Sequence, residues 1–403
     1  MKKRMELGGF LSRHRAFRYL SDSDRYLFSA EEPKYRFNVI GTGMNGREHI
    51  RVTLLEGRAT VHGVFDPDPL SIEGAKEAYS QYAPQGGLVV YGSLEEACRD
   101  AEVDGLIICT PNYTHIAVVR EAVKSGKHIL LEKPMATTIP DAYEIAQLAD
   151  RYDAVFQIGL QYRYKEFYVE AIYEALERRS IGDIKTVRIL KHRIPFLDKV
   201  KQWNKFSRYS GGTLVEKCCH YFDLLNLFAQ SKPASVFATG SMAVNFLDFE
   251  YDGEKSDIID NAFVTVMYEN GIRASFDLCM FSPVFHEEIV LCGDEGRLRA
   301  YAYHDYSGAS MSKTHLEVMR GGDRPSRVTT PRYPTFVAEA GHGGATLFEH
   351  VSFVDSIEGR ETDAATAQEG FWSIVVGVAA EESVKTGSPV AIGELLERNG
   401  VSH

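Results

Sequence analysis

The sequence lacks several features that would assign a protein to a class at once. It has no run of eighteen apolar residues, so a membrane-spanning helix is not expected. Its basic start, MKKRMELGGFLSRHRAFRYL, has no apolar core of the kind that a secretory signal needs. Basic residues are not in excess, since 45 Lys and Arg stand against 56 Asp and Glu. We therefore expect a cytoplasmic protein without nucleic-acid or membrane partners.

Cysteine is also scarce. The chain has 6 cysteines in 403 residues, and Cys218 and Cys219 are the ones that lie close together. This spacing gives no disulfide framework and is typical of a reducing compartment. No C-x-x-C pair occurs, and adjacent helical residues point about 100° apart, so we expect no metal site. A reactive thiol is disfavoured as well, because Glu216 lies near these cysteines.

The length and the order of apolar runs predict two domains. Residues 1–35 show no clear periodicity, and we expect an extension that lies on a neighbouring surface. Residues 36–159 alternate short apolar runs (RFNVIG, TVHGVFD, GLVVYG, VDGLIICTP, HILLEKP, AVFQIG) with helical patterns. This alternation predicts an α/β fold with a doubly wound parallel sheet. Residues 160–403 contain longer strands and turn signals such as ENG, which predict an α+β domain with a large, mainly antiparallel open sheet.

The first predicted strand is followed directly by a glycine-rich turn. Gly41, Gly43 and Gly46 form G-x-G-x-x-G before a predicted helix, the arrangement that binds a dinucleotide pyrophosphate. The next strand ends at Asp66, at the offset of a carboxylate that binds the adenosine ribose. A 2′-phosphate would meet this acid, and no Arg is nearby to receive it. We therefore predict NAD rather than NADP as the cofactor.

The stretch SGGTLVEKCCHYFDLLNLF (residues 210–228) is predicted to be one helix with a catalytic histidine. Glu216, His220 and Asp223 follow at helical spacing and would share one face. Either carboxylate could then orient His220 for proton transfer. The other interpretation of a lone helical histidine is a satisfied core residue.

A basic segment, ILKHRIPFLDKVKQWNKFSRYSGG, precedes this stretch in an otherwise acidic protein. Two interpretations remain open: a solvated edge, or cations that hold an anionic group on a sugar, with an aromatic platform beside them. The candidate substrate contacts are Arg163, Lys191, Arg193, Lys199, Trp203, His220 and His342.

Two further motifs, CTPNYTH (residues 109–115) and LLEKPMA, complete a pattern. With them, residues 36–395 resemble the Gfo/Idh/MocA family of NAD(P)-dependent sugar and inositol oxidoreductases. The resemblance implies that Glu132 reaches the nicotinamide ribose and that Lys133 points at the reacting hydroxyl. Burial and the cationic nicotinamide ring would both disfavour the ammonium form of Lys133, as a base requires. The family usually has Asp four residues before its histidine, and this chain has Glu216 there.

The family resemblance and the glycine-rich turn together give the expected cofactor contacts. These are Gly41, Gly43, Met44, Asn45, Gly46, Asp66, Thr110, Pro111, Asn112, His115, Glu132, Lys133 and Gln161. The resemblance also suggests a dimer or a tetramer.

Shorter similarities suggest a reaction. The segment EAGHGGATLFEH is similar to a Gly-His-Gly-Gly segment of NAD-dependent α-N-acetylgalactosaminidases, and HRIPFLDKVKQWNKF with GGTLVEKCCH resembles NAD-dependent sulfoquinovosidases. They imply an oxidoreductive glycoside hydrolase that acts on an anionic sugar through a transient C3 ketone. One alternative is an inositol or sugar dehydrogenase that releases NADH, and another is a non-catalytic NAD-binding regulator.

Overall fold

The protein is described by a computed structural model that covers residues 32–83, 86–195, 198–304, 313–322, 324–338 and 340–401. Residues 1–31, most of the expected extension, lie outside this range. The chain forms two compact units. The first unit contains the described residues up to Glu132, Gln147–Gly159 and Pro334–Ala367. The second contains Lys133–Ala146, Leu160–Tyr333 and the chain from Gln368 onward.

Strands and helices alternate up to Gly159, as the sequence predicts. They are β1 (Tyr35–Ile40), α1 (Met44–Glu56), β2 (Ala59–Phe65), α2 (Pro69–Tyr82), β3 (Val89–Val90), α3 (Leu94–Arg99), β4 (Gly105–Ile108), α4 (His115–Ala122), β5 (His128–Glu132), α5 (Ile139–Asp150) and β6 (Phe156–Gly159). Among the described residues, six parallel strands pair in the order β3-β2-β1-β4-β5-β6. The predicted doubly wound sheet is confirmed.

After Gly159 the strands become longer, and several follow one another without a helix between them. The elements are α6 (Glu166–Ile172), β7 (Ile184–His192), α7 (Ser207–Ser210), α8 (Thr213–Glu216), α9 (Cys219–Ala229), β8 (Pro233–Ser241), β9 (Glu250–Tyr251), β10 (Glu254–Lys255), β11 (Asn261–Tyr268), β12 (Arg273–Cys279), β13 (His286–Gly293), β14 (Gly296–Tyr303), β15 (Lys313–Arg320), β16 (Arg327–Thr329), α10 (Thr335–Ala338), α11 (Ala345–Ile357), α12 (Ala367–Thr386), β17 (Val390–Ala391) and α13 (Ile392–Arg398).

The second unit is built on a large sheet. Its strand order is β16-β15-β14-β13-β7-β12-β11-β8-β17, nine strands within the described residues. The pair β7–β12 is parallel, and the other pairs of this sheet are antiparallel. Buried and exposed residues alternate along β11 and β12, as expected for a sheet with one packed face. The predicted mainly antiparallel sheet is confirmed.

The core of the first unit includes a segment that sequence analysis assigned to the second domain. Phe353 and Val354, on α11, pack with Val39 and Leu130 of the parallel sheet. The ring centroids of Phe353 and Phe37 lie 5.4 Å apart. Residues 334–367 therefore return to the first unit, because their apolar side chains complete its core. Over the residues that the structure describes, no helix is long and apolar enough to cross a membrane.

The glycine-rich turn after β1 generates a paired prediction. A Cβ at Gly46 would lie 2.0 Å from the Gly41 carbonyl oxygen, whereas a Cβ at Gly43 would meet nothing within 4 Å. We expect Gly46→Ala to lower the free energy of unfolding by at least about 1–3 kcal/mol through overpacking. Gly43→Ala should cost less than about 1 kcal/mol, since its φ of −62° suits alanine. Denaturant unfolding of the two variants checks this, and equal losses would contradict it.

Candidate active site

The glycine-rich turn and the end of β2 form one side of the predicted cofactor site in the first unit. Asp66 Oδ2 accepts hydrogen bonds from the Thr42 backbone N–H at 2.7 Å and from Thr42 Oγ1 at 3.2 Å. Gly41 has φ +87° and comes so close to the chain after β4 that a Cβ would lie 2.7 Å from the Thr110 nitrogen. The open space beside Gly43 is where a pyrophosphate could approach the backbone.

The Thr-Pro-Asn turn after β4 is stabilised by hydrogen bonds from residues that directly follow it. His115 Nε2 lies 2.9 Å from the Thr110 carbonyl oxygen, and Thr114 Oγ1 donates to the Pro111 carbonyl oxygen at 2.6 Å. Asn112 is buried, and its Nδ2 has no hydrogen-bond partner among the described residues. An unsatisfied buried donor indicates a site that a ligand acceptor could complete. These features fit a bound dinucleotide, although the contacts of Met44, Asn45 and the others stay predictions.

Glu132 ends β5 and is almost fully buried, with 3% of its surface exposed. His49 of α1 binds it through Nε2, which lies 2.7 Å from Glu132 Oε1. The other nitrogen of His49, Nδ1, lies 2.8 Å from Nε2 of His350 on α11. His350 Nδ1 in turn lies 3.4 Å from Thr53 Oγ1, which donates to the His49 carbonyl oxygen. The first unit thus contains a buried chain of hydrogen bonds that sequence analysis missed.

The two histidines of this chain differ in protonation. Burial would lower the pKa of His49, but the Cys109 sulfur and the Glu132 carboxylate raise it well above its usual range. Burial and the neighbouring charge on His49 lower the pKa of His350 well below its usual range. His49 is therefore the imidazolium that donates at both nitrogens, and His350 is neutral and accepts at Nε2.

Three buried side chains of the first unit have potential metal ligand atoms within 4.8 Å of one another: His49, Glu132 and Glu349. The 2.7 Å separation between His49 Nε2 and Glu132 Oε1 is that of a hydrogen bond. Two ligands of a tetrahedral zinc ion would lie about 3.3 Å apart. We therefore interpret the contact as an ion pair, and the expectation of no metal site stays a prediction.

The predicted continuous helix over residues 210–228 is wrong. Helix α8 ends at Glu216, and α9 begins at Cys219 after a turn at Lys217 and Cys218. Gly211 and Gly212 have φ of +79° and +94° and fix the start of α8, where the Leu214 backbone N–H donates to Glu381 Oε1. Helical spacing across the break therefore does not apply, and Cys218 and Cys219 are both buried.

His220, at the start of α9, is buried and stacked on a tyrosine. Its ring centroid lies 3.9 Å from that of Tyr162, and the rings are 3° from parallel. Asp223, which was predicted to be one of two possible partners of His220, binds Arg163 instead. Its two carboxylate oxygens accept from Arg163 Nε at 2.7 Å and from Nη2 at 2.6 Å. Arg163, a predicted substrate contact, is therefore committed to a buried ion pair.

Glu216 is surrounded by cations of the second unit. Its Oε2 lies 3.2 Å from Lys217 Nζ. Burial raises the pKa of Glu216, but Lys217, Lys133 and Lys199 together hold it below its usual range. Burial lowers the pKa of Lys217 to about 7, and the neighbouring cations, Arg193 among them, add to this effect. Sequence analysis missed Lys217, because no local pattern distinguishes it from a solvated surface lysine.

The basic segment is less exposed than a solvated edge would be. Lys191 is buried and donates to Glu287 Oε2 at 2.5 Å, so it is paired within the protein. Arg193 and Lys199 are half-buried, and Trp203 is largely buried. Gln161 is buried, and its Oε1 has no hydrogen-bond partner among the described residues. Arg193 and Lys199 remain predicted substrate contacts.

His342 belongs to the first unit and forms a pair with Glu48 of α1. Its Nδ1 lies 2.7 Å from Glu48 Oε1, which also accepts from Thr346 Oγ1 at 2.6 Å. Burial would raise the pKa of Glu48, but His342 and Thr346 lower it to about 2. The carboxylate fixes Nδ1 as the protonated nitrogen and leaves Nε2 as a proton acceptor. The His342 side chain is 38% exposed, so a ligand could reach it.

The two buried histidines generate a prediction about pH and stability. His49 has a raised pKa, so its contribution is complete below about pH 6.5 and is lost as pH rises through its folded pKa. His350 has a lowered pKa, so its contribution is lost as pH falls below about 6.5. Denaturant unfolding across pH should therefore show, for this pair, greatest stability near pH 6–7.

Substitution tests whether His49 causes the loss of stability at high pH. His49→Asn should reduce this loss on the alkaline side of the stability curve. It should also lower the free energy of unfolding by about 3–5 kcal/mol, since Glu132 loses its partner. The control His315→Gln, on β15, should leave the curve unchanged. An alkaline limb that persists in His49→Asn would contradict the assignment.

Comparison with known proteins identifies the family. Residues 35–160 match the family model described as "Oxidoreductase family, NAD-binding Rossmann fold", and residues 173–392 match "Oxidoreductase family, C-terminal alpha/beta domain". Myo-inositol 2-dehydrogenase of Thermotoga maritima is 24% identical over 90% of this chain and 99% of its own length. 1,5-Anhydro-D-fructose reductase of Ensifer adhaerens is 24% identical over 89% and 98%.

A solved structure gives the same fold. Scyllo-inositol dehydrogenase from Lactobacillus casei, solved with NAD(H) and scyllo-inositol, matches with a TM-score of 0.69 and 20% identity, over 89% of this chain and 99% of that one. The first domain is therefore an NAD-binding Rossmann domain, and the chain belongs to the Gfo/Idh/MocA family of oxidoreductases.

Proposed function

We propose that the protein is an NAD-dependent oxidoreductive glycoside hydrolase that acts on an anionic sugar glycoside, such as a sulfoquinovoside. Bound NAD would accept a hydride from C3 of the sugar and return it at the end of the cycle. Between these events the C3 ketone acidifies the C2 proton, a base removes it, the aglycone leaves by elimination, and water adds. Lys133 and His220 would exchange protons with the C3 hydroxyl and with C2.

The observation that supports an anionic substrate is the cluster of basic side chains that act on Glu216. The Glu216 carboxylate has Lys133, Lys199 and Lys217 close enough to lower its pKa, and Arg193 acts on Lys217. Four basic side chains therefore act on this one buried carboxylate or on the lysine beside it. Such a cluster would attract a sulfonate or carboxylate on the substrate.

Hydrolysis requires an acid–base group beyond Lys133 and His220, because the aglycone oxygen takes up a proton as it leaves. His342, held by Glu48, has one nitrogen fixed as the donor and the other available to exchange a proton. This pair is our candidate for the anomeric end of the substrate.

A plain dehydrogenase is the second candidate. Relatives named as inositol dehydrogenases support it. It would use the same first half-reaction, with net release of NADH.

In either case the proposal includes a cytoplasmic location, which the six free cysteines favour. It also includes a homo-oligomer, dimer or tetramer, since Phe263 and Phe237 are exposed on neighbouring strands of the large sheet.

The first prediction from this proposal concerns Lys133. Lys133→Met should reduce turnover by roughly 10²–10⁴-fold, because a proton-transfer group is lost. The assay mixes the enzyme, NAD+ and an aryl glycoside, and follows aglycone and NADH absorbance together. Lys124→Met, at an exposed lysine, is the control.

The same assay separates the candidates. Aglycone without accumulating NADH supports hydrolysis, whereas sustained NADH without aglycone indicates a dehydrogenase. Full turnover by a folded Lys133→Met protein would contradict the catalytic role and favour an NAD-binding regulator.

The second prediction concerns Lys217. Lys217→Met should lower kcat/KM for a glycoside with a 6-sulfonate or 6-carboxylate by roughly 10–100-fold, the effect of losing a charged hydrogen bond. The kcat/KM of the matching neutral glycoside should change much less. Lys201→Met, at an exposed lysine of the basic segment, serves as the control. Equal losses for both substrates would contradict an anion-binding role.

A further inference from the structure

The His220 ring is supported by an aromatic side chain. The Tyr162 ring lies against the His220 ring at 3.9 Å between centroids and 3° between planes. Tyr221 meets the edge of Tyr162 at 5.5 Å and stacks on Phe276 of β12 at 4.8 Å. The Tyr162 ring is therefore fixed by the core of the second unit, and a ring stacked on it has a fixed plane.

A cation occupies the other face of Tyr162. Lys165 Nζ lies 3.3 Å from the centre of the Tyr162 ring. An ammonium at this distance and an imidazole at 3.9 Å would overlap if they shared a face. They therefore lie on opposite faces, and Tyr162 is held between Lys165 and His220. The ammonium draws the electron density of the ring toward itself.

Lys165 is held in this position by a buried carboxylate. Its Nζ donates to both oxygens of Glu287, at 2.9 and 2.8 Å. Glu287 also accepts from Lys191, so one carboxylate serves two lysines. Burial raises the pKa of Glu287, but the two lysines lower it to about 2. Because one carboxylate is shared by two lysines, it does not fully cancel the positive charge of Lys165, which can still act on the Tyr162 ring.

This arrangement favours the neutral form of His220. A stacked imidazolium would normally gain from the negative face of tyrosine, but here the ring is already polarised toward a cation. Two carboxylates near His220 in the sequence have partners of opposite charge. Asp223, on the same helix, binds Arg163, and Glu216, before the break, lies beside Lys217 and is also influenced by Lys133 and Lys199.

We propose that Tyr162, with Lys165 behind it, is a positioning residue for His220: the stack fixes the plane of the imidazole and keeps it neutral, so that it can accept a proton from the substrate. The inference rests on the proposed function in one respect, the role of His220 as a proton acceptor. It applies equally to hydrolysis and to dehydrogenation, since both begin by removing a proton from a sugar hydroxyl.

The decisive variant is Lys165→Met. It removes the cation and leaves Glu287 with Lys191, so the buried carboxylate keeps a partner. Without the cation, the imidazolium should become more favourable, and the pKa of His220 should rise by roughly 0.5 unit. The acid limb of kcat/KM should move to higher pH by the same amount. Lys165→Arg keeps the charge and should restore the wild-type profile.

The pKa is measured by NMR titration of ¹³C-labelled histidine in the protein without substrate, with His220→Asn to assign the signal. This readout needs no turnover, so it separates the two ideas. A shifted His220 signal together with an active His220→Asn protein would refute the proposed catalytic role and leave the stack in place. An unchanged signal in folded Lys165→Met would refute the influence of the cation.

Two substitutions at Tyr162 test the positioning. Tyr162→Phe keeps the stacked ring and should retain most of kcat, whereas Tyr162→Leu removes it and should lower kcat by roughly 10–100-fold with less effect on KM. Circular dichroism checks that both variants fold. If Tyr162→Phe loses as much kcat as Tyr162→Leu, the hydroxyl is the important group and the stacking role is wrong.

Discussion

Glu132 carries a negative charge into an almost fully buried position at the end of β5, and the organisation of the first unit depends on how that charge is balanced. His49 supplies the opposite charge from α1, the helix that follows the glycine-rich turn, and His350 supports His49 from α11. Three distant parts of the chain therefore meet at one carboxylate. His350 connects residues 334–367 to this ion pair through its hydrogen bond with His49, and loss of that bond would leave a buried donor unsatisfied.

The second unit also pairs its buried charges with groups of opposite charge. Arg163 is neutralised by Asp223, and Lys191 by Glu287. These pairs explain why two of the cations that the sequence presents as substrate contacts are already occupied. The basic side chains that act on Glu216 are where we propose that a preference for an anionic substrate arises.

Local sequence patterns predicted much of the fold because they report local physics. Apolar runs between helical patterns predicted the parallel sheet. The glycines at 41, 43 and 46 predicted a tight turn, and at Gly41 and Gly46 the backbone comes too close to neighbouring backbone atoms for any side chain to fit. The partners of buried charges are long-range, however, and no local pattern contains them. His49 and His350 are 301 residues apart in the sequence. One signal was available: an acid that follows the apolar run HILL must have a buried cation nearby.

The histidine stretch shows a second limit of local reasoning. Spacing of four and three residues places side chains on one face only while the helix is continuous. Here the chain turns at Lys217 and Cys218, and the interactions on the two sides of the break differ. Glu216, before the break, is surrounded by lysines, whereas His220, after it, is stacked on Tyr162.

The break thus separates two tasks that the sequence merges. Under the proposed function, the groups around Glu216 would bind the anionic group of the substrate, and the stack on Tyr162 would set the protonation state of His220. The two roles would not be fully independent, because Lys133 lowers the pKa of Glu216 and is also the proposed partner of His220 in proton transfer. Residues that share a partner are expected to show coupled effects on free energy. A change in the substrate charge that this fold accepts would therefore also alter the lysine that we propose to act in the oxidation.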